Sequence, residues 1–227
     1  MATRLLSTRS LYDRGVTAFS KTERAELCNV LEDVGPEAPT LCEGWTTYDL
    51  AAHLVLRESD PLAVPGIVVP ALARLTDRGM RRLKAAHDYP TLVDRVRGGP
   101  PIWSPMGWPR IEPAVNTMEF FIHHEDVLRA VEPTARRHLA ARSQGTLWAG
   151  IKAQGKTLAR RCPTGLRLVR SDEDASTTVK SGEPVATVRG LPAEIALYLF
   201  GRGSVADVEI DGPADALQKL ASSDFSV

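Results

Sequence analysis

Asn116-Thr117-Met118-Glu119-Phe120-Phe121-Ile122-His123-His124-Glu125-Asp126-Val127 is the stretch from which the fold and the chemistry of this chain are best read. Met118, Phe120, Phe121, Ile122 and Val127 make it apolar around most of a helical circumference, the texture of a helix buried in a bundle. Glu119 and His123 are four residues apart and share one face. Such a pair can be an ordinary exposed couple, but the apolar neighbours argue against it, because a buried acid is rare unless paired, hydrogen-bonded or bound to a metal. His124 stands about 100° round the helix from His123 and takes another direction.

Outward from this helix, predicted over about 113–131 with Pro113 at its first turn, the N-terminal part reads as all-α. Residues 1–19 have weak periodicity and form an arm. Ser20 and Glu23 have the form of a capping box, ahead of an amphipathic helix in which Leu27, Val30, Leu31 and Val34 share a face. Gly35-Pro36 stops it. Thr46 and Asp49 offer a second cap, for a helix that runs to about Glu58. A third helix is predicted from Gly66 to His87 and a short one from Tyr89 to Val96. The Gly- and Pro-rich segment from Gly98 to Pro113 is a long irregular loop, a type that is often functional. A further helix is predicted over 133–161.

The texture changes at Cys162-Pro163. Leu166–Arg170, Ser176–Lys180 and Val185–Arg189 are short, branched and separated by turn formers, as strands are. Leu191–Leu199 is helix-like, Val205–Ile210 a fourth strand and Pro213–Leu220 a last helix. The expected fold is α+β: a helical bundle with an N-terminal arm over 1–161, then a small α+β domain over 162–227.

Composition narrows the function. Lys and Arg number 28 and Asp and Glu 28, so net charge gives no reason to expect nucleic acid or an anionic membrane as partner. No run approaches the roughly 18 apolar residues of a membrane span, and the N-terminus lacks the apolar core of a signal peptide. Cys28, Cys42 and Cys162 are three in number and irregularly spaced, which suits free thiols in a reducing cytoplasm better than a disulfide framework. Cys28 falls in an apolar stripe. Cys42 lies just before a ligand-bearing helix and reads either as a structural thiol or as one near the site.

His53 is the third element. Between Leu50 and Leu54 it reads alone as a core histidine. Beside Glu119 and His123 it completes a His/Glu/His set, which suits zinc and leaves a coordination position open, as reactive sites do. Nickel, iron and manganese also accept these donors. His87 and His138 have basic, solvated surroundings. Asp126, three residues after His123, and Asp49, four before His53, are placed to orient the imidazoles; Asp49 reads equally as a helix cap and Asp126 as a solvated acid. Arg57 and Arg202 are candidate anion binders, although an Arg near a helix C-terminus also suits the dipole.

Gly44-Trp45-Thr46-Thr47-Tyr48-Asp49-Leu50-Ala51-Ala52-His53-Leu54, the spacing Glu119-x3-His123-x2-Asp126 and the α+β tail together resemble the mycothiol-dependent maleylpyruvate isomerase family, whose N-terminal part is a DinB-like four-helix bundle. Pro39-Thr40-Leu41-Cys42-Glu43-Gly44-Trp45 and His123-His124-Glu125-Asp126-Val127 are most similar to an actinobacterial metal-binding branch. The resemblance covers roughly residues 20–220. It implies a divalent metal, usually zinc, on His53, Glu119 and His123, with mycothiol as cosubstrate. A thiol held at zinc loses its proton, whereas a free one, with a pKa of about 8.5, stays mostly protonated at neutral pH. Addition to an electrophilic carbon, then rotation and elimination, would give isomerisation; release of the adduct would give transfer. The expected partners are a low-molecular-weight thiol and a small electrophile, and a homodimer is compatible with this reading. Two other readings stand beside it. One is a non-catalytic metal-binding module using Trp103 and Trp108 on the irregular loop. The other is a metal hydrolase, for which Glu125 is the nearest spare acid.

Overall fold

The computed structural model describes residues 19–60, 73–108, 112–223 and 225. The chain divides into two compact units between Ala135 and Arg136. The expected arm, apart from Phe19, and the expected start of the third helix near Gly66 lie outside the described residues.

The first unit is helical. Residues 19–34 (α1) are followed by α2 (Thr47–Ser59), α3 (Ala73–Ala86), the short α4 (Tyr89–Gly98) and α5 (Glu112–Val131). Its core joins Leu27, Cys28 and Leu31 of α1, Leu50 and Leu54 of α2, Met80 of α3, Val93 and Val96 of α4, and Phe120 and Val127 of α5. The stripe read from Leu27 to Val34 therefore does face the core. Burial pushes the Cys28 thiol up to about 11, and its Sγ approaches the Val93 carbonyl, so this cysteine is a packing residue. α2 packs against α3 and α4. Gly79 makes the first of these contacts close, since a Cβ there would stand 2.7 Å from Leu56 Cδ1.

The caps show where local sequence decides. Thr46 and Asp49 form the expected capping box on α2. Asp88 caps α4 by accepting from Thr91 N. Ser20, by contrast, is not a cap: the chain is already helical at Phe19, and Ser20 is fully buried inside α1. Glu23 is also buried and pairs with His124 Nδ1 at 3.1 Å. Glu23 thus has a long-range partner across the bundle.

The second unit has α6 (Ala141–Leu158, ending in a 3₁₀ turn Ala159–Arg161), β1 (Gly165–Arg170), β2 (Ser176–Lys180), β3 (Val185–Gly190), α7 (Pro192–Leu199), β4 (Glu209–Asp211) and α8 (Ala214–Ala221). The sheet order is β2-β1-β3-β4, with β1 and β3 parallel and the outer pairs antiparallel. Leu166, Leu168, Ala186 and Val188 bury one face of the sheet. α7 has no side-chain cap of its own; buried Gln144 of α6 accepts from Ala193 N at 3.0 Å in its place.

Two boundaries differ from expectation. α6 begins at Ala141 rather than 133: a turn closes from Ala135 N to Glu132 O, and the first bonds of the helix are those of Ser143 N and Gln144 N to Ala140 O. β4 is only Glu209–Asp211, because Val205 N and Ala206 N both bond Arg202 O, and Glu194 takes Asp207 N. The contact boundary places α6 with the sheet, whereas the change in sequence texture comes at Cys162.

Candidate metal centre

His53 lies in the second turn of α2, and Glu119 and His123 are one turn apart on α5. Their ligand atoms lie within 4.8 Å of one another. Glu119 Oε1 stands 3.2 Å from His53 Nε2 and 3.4 Å from His123 Nε2. The imidazoles are buried, and the Glu119 side chain keeps 19% of its surface exposed, so the cluster is open on the carboxylate side.

Behind His123 the arrangement sets its tautomer. Asp126, fully buried, accepts from His123 Nδ1 at 2.9 Å. A carboxylate only accepts, so Nδ1 carries a hydrogen, and Nε2 is the atom left to face Glu119. A lone pair facing a carboxylate oxygen at 3.4 Å repels it unless positive charge lies between, as a proton or a metal cation. Burial alone would lower the His123 pKa, but Asp126, Cys42 and Glu119 outweigh it and raise it well above the ordinary histidine value. Burial would raise Glu119, but Arg57, His123 and His53 hold it well below the usual carboxylate range. His53 is lowered, because burial outweighs the pull of Glu119. An acid held ionised between two imidazole nitrogens is a donor set that could hold a divalent metal, with the proton on His123 as the metal's competitor.

Asp126 is thus where the spacing put it, and it has a second donor in Cys42, whose Sγ lies 3.3 Å from the same Oδ2 and 4.0 Å from His123 Nδ1. The segment before α2 holds Cys42 there: Cys42 N donates to Thr40 Oγ1, Thr40 Oγ1 donates to Trp45 O, and Leu41 N donates to Asp126 O. Asp49 is elsewhere. It accepts from Thr46 N and Oγ1 and from Lys84 Nζ, while His53 Nδ1 is buried without a partner. Arg57 comes to the cluster, its Nε 3.3 Å from Glu119 Oε1. Arg202 lies in the second unit and donates to the Phe200 carbonyl at the end of α7. Glu125, the base needed for a hydrolase, is buried against Arg129 at 2.6 Å. His124 faces Glu23, as its different direction on the helix requires.

Two participants carry weaker sequence signals. Trp45 lies with its ring centroid 5.0 Å from that of His53 and walls that imidazole. Asn116, one turn before Glu119, is fully buried and accepts from Arg57 Nη1 at 2.8 Å. Its i,i+3 spacing from Glu119 is the signal that could have found it.

No family model matches the chain, and no curated protein matches it. Among solved structures it is similar to the crystal structure of the mycothiol-dependent maleylpyruvate isomerase, with TM-score 0.57 and 17% identity over 88% of this chain and 92% of that one. The chain shares that isomerase's fold. A histidine-to-alanine mutant of the isomerase gives TM-score 0.59 at 16% identity over the same shares. The expected α+β architecture with a DinB-like helical part is therefore present. Among the described residues no helix is long and apolar enough to cross a membrane.

Proposed function

We propose that this protein binds a divalent cation, zinc by preference, on His53, Glu119 and His123 and uses it to activate a low-molecular-weight thiol of the mycothiol type toward a small electrophile. The observation that carries the reading is the Nε2–Oε1–Nε2 convergence with His123 Nδ1 already committed to Asp126. A cation held there supplies a Lewis acid that favours loss of the thiol proton at neutral pH. The chain's own groups do the rest. Asp126 keeps His123 in the donor tautomer and Trp45 shields His53. Arg57 offers positive charge to an anionic group of the electrophile. The isomerase that shares the fold is mycothiol-dependent, which supports the choice of thiol.

Elemental analysis of purified wild type and His53→Ala is the first test, with wild type expected to carry close to one equivalent of metal and the variant far less. Equal content in both removes the site. Thermal melts with mycothiol then separate catalyst from binder, because a ligand of the native state raises its stability. Stabilisation that needs the metal supports thiol chemistry. Metal binding without a thiol effect favours a non-catalytic module, for which Ile102, Trp103 and Trp108, all exposed on the loop before α5, are the surface to probe.

A further inference from the structure

Arg57 is a buried cation beside a cluster read as a cation site. Only 8% of its surface is exposed. Its Nε lies 3.3 Å from Glu119 Oε1, the oxygen that both imidazoles also face. Its Nη1 donates to Asn116 Oδ1 at 2.8 Å, and Asn116 Nδ2 donates in turn to Met106 O at 3.3 Å. Asn116 is fully buried on α5, one turn before Glu119. The guanidinium is therefore fixed from behind while its Nε faces a ligand oxygen.

A ligand carboxylate with a guanidinium beside it is a weaker donor to a metal. Part of its charge is already neutralised, and an incoming dication meets like charge at short range in a poorly screened setting. We infer that Arg57, pinned by Asn116, is a resident counter-cation that competes for Glu119 and sets the protein's metal affinity below what His53, Glu119 and His123 would reach alone. Asn116 is then a positioning residue, acting on the metal only through Arg57. This inference rests on the metal reading above and adds what tunes the site.

The charge count gives the arrangement a use. Glu119 and Asp126 contribute two negative charges and Arg57 one positive charge, with the imidazoles neutral as ligands. A dication brings the cluster to a net single positive charge, which one monoanion from outside would balance. Without Arg57 the loaded cluster would be neutral and would hold its metal more tightly, with less attraction for an anionic ligand.

The test is a zinc titration of the full-length chain, stripped of metal, against a chromophoric chelator, with Arg57→Met and Asn116→Asp compared with wild type. Removing an ordinary buried ion-pair partner would weaken the fold and leave zinc affinity the same or lower. The counter-cation role makes the opposite prediction: Arg57→Met binds zinc at least about tenfold more tightly. Asn116→Asp, nearly isosteric, draws the guanidinium off Glu119 and tightens zinc several-fold. The Arg57→Met apoprotein melts lower than wild type, and zinc raises its melting temperature by more. Unchanged or weaker zinc binding in a variant that folds as wild type by circular dichroism overturns the inference. So does failure of both variants to fold when expressed with zinc, since the cation should then replace Arg57 as the partner of Glu119. Wild type that binds no zinc at micromolar concentration removes the metal reading itself, a result distinct from a wild type that binds while the variants fail to tighten.

Discussion

Asp126→Asn is the sharpest test of how the centre is built. Asp126 is fully buried, and its Oδ2 accepts from His123 Nδ1 at 2.9 Å and from Cys42 Sγ at 3.3 Å. Asparagine fits the same space and can still accept from Nδ1 through its Oδ1, so the packing survives. What is lost is the charge that makes His123 a strong donor at Nε2. Groups in this position behind a ligating histidine are worth about 10–100-fold in metal affinity, or roughly 1.4–2.7 kcal/mol. The low end is expected here, because the amide preserves the tautomer. Zinc affinity from chelator competition should therefore fall about tenfold. The melting temperature of the metal-free protein should fall as well, since a charge-assisted bond worth about 1.5–3 kcal/mol becomes a neutral one. A variant that folds as wild type and binds zinc within about twofold of it would refute the claim that Asp126 tunes the ligand.

Three further predictions concern stability. Arg129→Met should cost about 3–5 kcal/mol in urea unfolding, because it strips a buried partner 2.6 Å from buried Glu125 and leaves the carboxylate's charge behind; a loss under 1 kcal/mol would show that the pair is not what stabilises this end of α5. Gly165→Ala should destabilise the second unit by about 1–3 kcal/mol, since its Cβ would come 2.2 Å from the backbone oxygen of Gly182; unchanged protease resistance of that unit would contradict the geometry. Burial would raise the Asp49 carboxyl, but Lys84 and Thr46 outweigh it and hold it below its ordinary value. Its contribution is thus complete above the unfolded pKa of about 3.9 and is lost as pH falls through the lower folded value. Because the pair is part-exposed, it is worth at most about 1 kcal/mol. The stability gap between wild type and Asp49→Asn should therefore be flat above pH 5 and close in acid.

The residues that local physics governs were legible in the sequence. The i,i+4 rule put Glu119 and His123 on one face, and the α2 cap needed only Thr46 and Asp49. Apolar spacing found the Leu27–Val34 stripe because burial of a helix face has a fixed period. Failures came where a distant partner outbids a local one. Ser20-x-x-Glu23 has the letters of a capping box, yet Ser20 lies inside α1, and Glu23 reaches His124 of α5. Val205 and Ala206 have residues suited to a strand, yet Arg202 O captures both N–H groups.

Asp49 and Asp126 show the same principle at the site. Both have the spacing of an acid that orients an imidazole. Asp126 follows His123 by three residues on α5 and reaches its Nδ1. Asp49 precedes His53 by four, which puts it in the first turn of α2, where Thr46 N, Thr46 Oγ1 and Lys84 take its carboxylate. The two imidazoles are consequently unequal. One has its donor tautomer fixed from behind; the other, with Nδ1 unpartnered and Trp45 against its ring, is held by packing. Of the two, His123 is therefore the better-tuned donor, and replacing its partner Asp126 should disturb metal binding far more than replacing Asp49.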